Sequence, residues 1–138
     1  AAAQIGADFA VAPGCNPRVI EAALEYGLSF APGIVTPTDI EMALEQGCRV
    51  LKYFPAETSG GLKHLSNMVA PYNYLNLKFI PLGGLSLANV ATYLKSPLIT
   101  AVGGSWIAKQ ELIKGEQWET ITQNAKDIRK LIKDIRKK

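Results

Sequence analysis

Short apolar, β-favouring runs recur along this chain at residues 8–12, 28–31, 49–54, 78–82 and 98–102. Each runs into Pro or Gly, and each is followed by a stretch with helical periodicity. In the first such stretch Val19, Ile20, Ala23 and Leu24 share one apolar face, and Gly27 closes it. In the second, Thr36 takes the N-cap, Pro37 the first helical position, and Asp39 sits near the amide end of the helix dipole. Ile40, Ala43 and Leu44 form its buried stripe, and Gly47 ends it. Helical segments at 62–68, 86–94 and 118–135 complete the series, with Pro71 and Pro97 in connections where a missing amide does least harm. Alternation of this kind, with strands apolar throughout, specifies a parallel sheet covered by helices.

Two α/β architectures accommodate such units. A flavodoxin-like sheet is complete at this length, whereas a (β/α)8 barrel lacks three units, about 60 residues at this spacing. The opening AAAQIGADF reads as the last turns of a helix closed by Gly6, with no strand or N-cap before it. Counting units favours the complete sheet; the strand ends point the other way.

With 138 residues, 48% hydrophobic and 20% charged, the chain has the make-up of a folded globular domain. Its formal charge of +3 originates at one end, where KDIRKLIKDIRKK at 126–138 holds seven basic side chains against two acidic. The remainder is net acidic, so the cluster is no nucleic-acid footprint. Cys15 and Cys48 have no CxxC partner and no histidines at ligand spacing. They are expected as free thiols in a reducing compartment, with no metal site. No charged-then-apolar leader opens the sequence, and no apolar run approaches the ~20 residues that cross a bilayer. A soluble, cytoplasmic protein is expected.

In both architectures functional groups gather where strands pass into helices. Those exits read APG at 12–14, APG at 31–33, KYFPAE at 52–57, PLGG at 81–84 and GGS at 103–105. Pro and Gly at every exit predict a shallow mouth lined by backbone. Adjacent glycines at the last two exits, with the Ser105 hydroxyl, offer bare amides to an anion, and barrels place phosphate on the loops of their final two strands. In RVLKYF, Val50, Lys52 and Phe54 share one face of the strand, and Leu51 and Tyr53 the other. A lysine flanked by apolar residues near the end of a central strand is desolvated, which lowers its pKa and leaves free amine to attack a carbonyl. The plainer reading is a lysine that snorkels to solvent, as Lys78 at the start of its strand is expected to do.

The segment LKYFPAETSGGLKHL at 51–65 resembles the Schiff-base strand of the 2-keto-3-deoxy-6-phosphogluconate (KDPG) and 4-hydroxy-2-oxoglutarate (KHG) aldolases. In that family the imine-forming lysine sits in the pattern Phe/Leu-Lys-Phe/Tyr-Phe-Pro-Ala-Glu, and Lys52 occupies its place. FAVAPG, FAPGIVTPTDIEMAL, FIPLGG and AVGGSW are similar to the family's fourth, fifth, seventh and eighth strands, so the likeness covers essentially the whole chain in order. It implies a class I aldolase on a (β/α)8 TIM barrel. Residues 1–138 would be a single domain of five C-terminal βα units, with the three N-terminal units absent. It also implies a cytoplasmic homotrimer that needs no metal or other cofactor. Lys52 would form the imine that splits KDPG into pyruvate and glyceraldehyde 3-phosphate, an Entner–Doudoroff step of carbohydrate metabolism. Cleavage of 4-hydroxy-2-oxoglutarate to pyruvate and glyoxylate would be a second reaction. Pro13 and Phe54 match positions that wall the pyruvate pocket, and Gly83, Gly84, Gly104 and Ser105 match the phosphate cradle.

Two departures limit what carries over. The family's acid/base glutamate, carboxylate-binding arginine and pyruvate-contacting threonine belong to strands before this stretch. Glu45 and Arg49 lie on or just after a different helix and are not those groups. Leu82 stands where the family commonly has a threonine linked to the C4 epimer accepted, and the lost hydroxyl leaves stereopreference open. Glu57 is read as orienting the loop after the lysine strand, His64 as a surface or interface residue, and Trp106 as packing that holds the glycine loop. The last helix carries an apolar stripe from Trp118 through Ile128 to Ile135 and is expected to cap the barrel, its charged face in solvent rather than on a membrane. The alternative to a lyase is a phosphate-ligand-binding domain without catalysis, either a complete flavodoxin-like sheet or an inactive fragment of the aldolase.

Overall fold

The computed structural model describes residues 2–137; Ala1 of the opening turn and Lys138 of the basic C-terminal run lie outside them. Strands and helices alternate, and the strands pair in parallel. β1 (Phe9–Val11) pairs with β2 (Ser29–Ala31), while β3 (Gly33–Ile34), β4 (Val50–Tyr53) and β5 (Lys78–Pro81) form a second small sheet in that order. β2 and β3 are one extended run split at Pro32, which has no N–H to give. The Pro32 carbonyl still accepts from Lys52 N at 2.8 Å, and Gly33 N donates to Gly14 O at 3.2 Å, so this run adjoins both sheets. A Cβ at Gly33 would lie 2.2 Å from Pro13 O, and glycine alone permits that approach.

The fifth expected strand, 98–102, is reduced to a single parallel bridge between Ile99 and Phe79. Phe79 N donates to Leu98 O at 2.8 Å and Thr100 N to Phe79 O at 3.0 Å. The next rung needs an amide from Pro81, and proline has none. The Ile99 and Thr100 carbonyls accept instead from Arg136, Nη2 and Nη1 respectively, at 3.0 Å each.

α1 (Pro17–Glu25) starts on Asn16, whose Oδ1 accepts from Arg18 N at 3.1 Å. α2 (Pro37–Glu45) starts on the expected Thr36 and adds a capping box. Thr36 Oγ1 accepts from Asp39 N at 3.2 Å, and Asp39 Oδ2 accepts from Thr36 N at 2.9 Å. α3 (Gly61–Val69) lies where the periodicity puts it. The expected helix at 86–94 is shortened to α4 (Val90–Leu94), preceded by a turn in which Asn89 Oδ1 accepts from Ser86 N at 2.8 Å and Val90 N donates to Ser86 O at 2.9 Å. α5 (Gln110–Lys114) has no apolar stripe to announce it, and α6 (Trp118–Arg136) follows the predicted basic helix. Among the described residues no helix is long and apolar enough to cross a membrane.

The two faces of the strands differ sharply. Leu51, Tyr53 and Phe79 are fully buried, in one core with Ile40 of α2 and Leu65 and Val69 of α3. On the other face Val50 is 40% exposed and Phe9 63%. An apolar groove of about 460 Å³ runs there, with Phe9, Leu24, Ala31, Val50, Ile80 and Ala101 in its lining. α1 accordingly buries Ile20 and Ala23 but leaves Val19 and Leu24, expected inside, exposed. Parallel strands are ordinarily covered on both faces. Here one face is covered and the other is open.

Candidate active site

Lys52 belongs to the open face by register, opposite Gly33 on β3 and Ile80 on β5, yet it is only 8% exposed. Burial strips water from the ammonium and lowers its pKa below the ordinary lysine value. Nζ lies 4.4 Å from the ring centroid of Phe54, two residues on along the same face. Lys78 contrasts with it: that side chain is exposed, and its Nζ donates to Pro97 O at 2.9 Å. The inward lysine and the snorkelling one are thus told apart by their neighbours.

Past the strand ends the backbone pairing continues. Leu82 N donates to Tyr53 O at 3.0 Å, Ala56 N to Leu82 O at 2.8 Å, and Glu57 N to Gly83 O at 3.1 Å. The loop after the lysine strand is therefore zipped to the loop that carries the first glycine pair. Gly83 and Gly84 have φ of 94° and 80°, left-handed conformations that glycine adopts without strain. A Cβ on Gly83 would meet Phe54 Cε2 at 3.2 Å, and one on Gly84 would overlap Glu57 Cβ at 2.6 Å.

The second glycine pair adjoins the first through Leu82, whose Cδ2 would lie 3.3 Å from a Cβ on Gly103. Trp106 folds back over Gly104, where a Cβ would strike its ring at 1.8 Å, the packing expected of it. Ser105 follows, exposed. Pro13 is exposed after β1, its carbonyl against Gly33. Lys52, Phe54, Leu82, Gly83 and Gly84 form a connected cluster; Pro13 adjoins it through Gly33, and Gly104 and Ser105 through Gly103.

Glu57 is held by Tyr93, whose hydroxyl donates to its Oε1. Burial and that bond raise the tyrosine's pKa well above the ordinary value. Asn89 Nδ2 donates to Gly84 O at 3.1 Å, a second tie on the glycine turn. Neither Tyr93 nor Asn89 is marked by the strand-exit motifs. The available signal for Tyr93 is a tyrosine within VATYL, whose hydroxyl needs a partner once buried. His64 is exposed and stacks on Tyr53 with ring centroids 6.2 Å apart. Cys15 and Cys48 are free, and burial raises both thiols. Arg49 is exposed and donates to Cys48 O at 3.1 Å. Among the described residues no group of three or more His, Cys, Asp or Glu is placed to hold a metal. The chemistry on offer is an amine of lowered basicity on an apolar face, beside turns whose backbone is bare.

The family described as "KDPG and KHG aldolase" matches residues 1–124. The 2-dehydro-3-deoxy-phosphogluconate aldolase of Haemophilus influenzae is 39% identical over 128 residues, 93% of this chain and 59% of that protein. The KDPG aldolase of Legionella pneumophila, solved with pyruvate captured as a covalent carbinolamine, superposes with a TM-score of 0.81 at 32% identity. That match covers 88% of this chain and 58% of the other. The Zymomonas mobilis enzyme with 3-phosphoglycerate gives 0.72 at 32% identity, over 78% of this chain and 50% of that one. The chain thus spans less than two thirds of the length of each of these relatives. With the family match running through the lysine strand and both glycine turns, this chain belongs to the KDPG and KHG aldolase family.

Proposed function

We propose that residues 1–138 are five C-terminal βα units of a (β/α)8 class I aldolase, a lyase that cleaves KDPG to pyruvate and glyceraldehyde 3-phosphate. 4-Hydroxy-2-oxoglutarate is its second substrate. The observation that carries this reading is Lys52, an amine buried at 8% exposure on the strand face that the helices leave open. Its lowered pKa gives it a larger share of unprotonated, nucleophilic amine than a solvated lysine has. The amine adds to the C2 ketone, and loss of water gives a protonated imine. That cation accepts the electron pair of the C3–C4 bond as it breaks, while a base takes the proton of the C4 hydroxyl. Glyceraldehyde 3-phosphate departs, the enamine is protonated at C3, and hydrolysis frees pyruvate and Lys52.

Phe54 and Pro13 wall the pyruvate end, and Leu82 faces the C4 region without a hydroxyl to offer. The amides around Gly83, Gly84 and Gly104, with Ser105, hold the phosphate, since glycine lets backbone approach an anion that a Cβ would obstruct. The base is supplied by residues that the relatives carry outside this stretch. The whole protein works as a homotrimer in the cytoplasm, without metal or cofactor. In the full-length protein, Lys52→Met should abolish release of pyruvate from KDPG. Cleavage by that variant at the wild-type rate would sink the reading.

A further inference from the structure

Glu57 sits against the glycine turn that the preceding reading gives to phosphate. Its amide donates to Gly83 O at 3.1 Å, and its Cβ and Cγ lie 2.6 and 2.9 Å from where a Cβ on Gly84 would be. A carboxylate on a side chain packed this closely against the turn repels any anion that the turn's amides bind, unless it is turned aside. The side chain that holds it is Tyr93, 2% exposed in α4, whose hydroxyl donates to Glu57 Oε1. Gly61 closes over the pair: a Cβ there would lie 3.3 Å from both Glu57 Oε1 and the Tyr93 hydroxyl. Its left-handed φ of 64° keeps that position to glycine.

We propose that Tyr93 is a positioning residue of the anion cradle: by fixing the Glu57 carboxylate it keeps that charge off the Gly83–Gly84 amides and so sets affinity for the phosphate end of the substrate. This rests on the assignment of the glycine turns to phosphate. The device joins two loops and a helix, since Glu57 lies after β4, Gly83 lies after β5 with its carbonyl bonded to Glu57 N, and Tyr93 lies in α4. It gives the glutamate of the Pro-Ala-Glu motif a task other than proton transfer.

Inorganic phosphate is the probe, titrated while the amide resonances of Gly83 and Gly84 are followed. Tyr93→Phe keeps the ring and frees the carboxylate, and should weaken phosphate binding about tenfold. Glu57→Asp keeps the charge but draws it out of reach of the hydroxyl, and should weaken binding similarly. The double variant Tyr93→Phe/Glu57→Gln should bind within about twofold of Glu57→Gln alone, because no charge is left to restrain. A merely structural role for Tyr93 would leave the double variant as weak as Tyr93→Phe. That result, or wild-type affinity in Tyr93→Phe, overturns the inference and leaves the phosphate assignment standing. Failure of phosphate to shift the two glycine amides in the wild-type protein overturns the assignment and the inference together.

Discussion

Lys52 owes its chemistry to what surrounds it. Its pKa is lower in the folded chain than the 10.5 of a solvated lysine, so the unfolded chain binds that proton more tightly. The cost of burying the cation is present in full below the depressed value and disappears as pH rises toward 10.5. Lys52→Met removes the cation, so its gain in Tm over the wild type should be largest at low pH and shrink as pH rises toward 10.5. A gain that does not change with pH would show that the amine is not desolvated. Gly104→Val is a second test at this scale. Its side chain would run into Trp106, which lies 1.8 Å from the position of a Cβ. Displacing that ring moves the turn, so the KM for KDPG should rise far more than that for 4-hydroxy-2-oxoglutarate. Equal changes in both would remove phosphate from the site.

Elements were legible where their signals are local. Thr36, Pro37 and Asp39 announce α2 within four residues, and the structure closes them into a capping box. Thr36→Ala should therefore cost about 1 kcal/mol in urea unfolding, and a cost near zero would show that the cap is not needed. Lys52 and the glycine pairs were legible for the same reason, since each motif is contiguous. The misses are non-local. Strand 98–102 fails as a ladder because Pro81, on the neighbouring strand, lacks the amide for the next rung, and Arg136 from the far end of the chain takes the carbonyls. The Glu57–Tyr93 pair spans 36 residues, and no pattern in either segment names the other. The helix expected from residue 86 begins at Val90, after a turn held by the Ser86–Asn89 side-chain bond, which apolar periodicity does not register.

At the scale of the whole molecule the open strand face decides what the chain can do alone. Phe9 and Val50 stand exposed beside an apolar groove, on the same side as Lys52. In the proposed barrel three further N-terminal units would close over this face and bring the acid/base group. General acid–base help is worth about 10²–10⁴-fold in rate, so residues 1–138 alone should turn over KDPG at least that much more slowly than a chain extended by the three N-terminal units. Equal turnover by the two would contradict the barrel reading.

The central claim, that Lys52 is the imine-forming residue, is tested most directly by trapping. The extended protein is incubated with pyruvate, reduced with borohydride, digested, and the peptides weighed. A single pyruvate-derived adduct on the peptide containing Lys52, absent from Lys52→Met, is the predicted result. An adduct on another lysine, or labelling that persists in Lys52→Met, would contradict it.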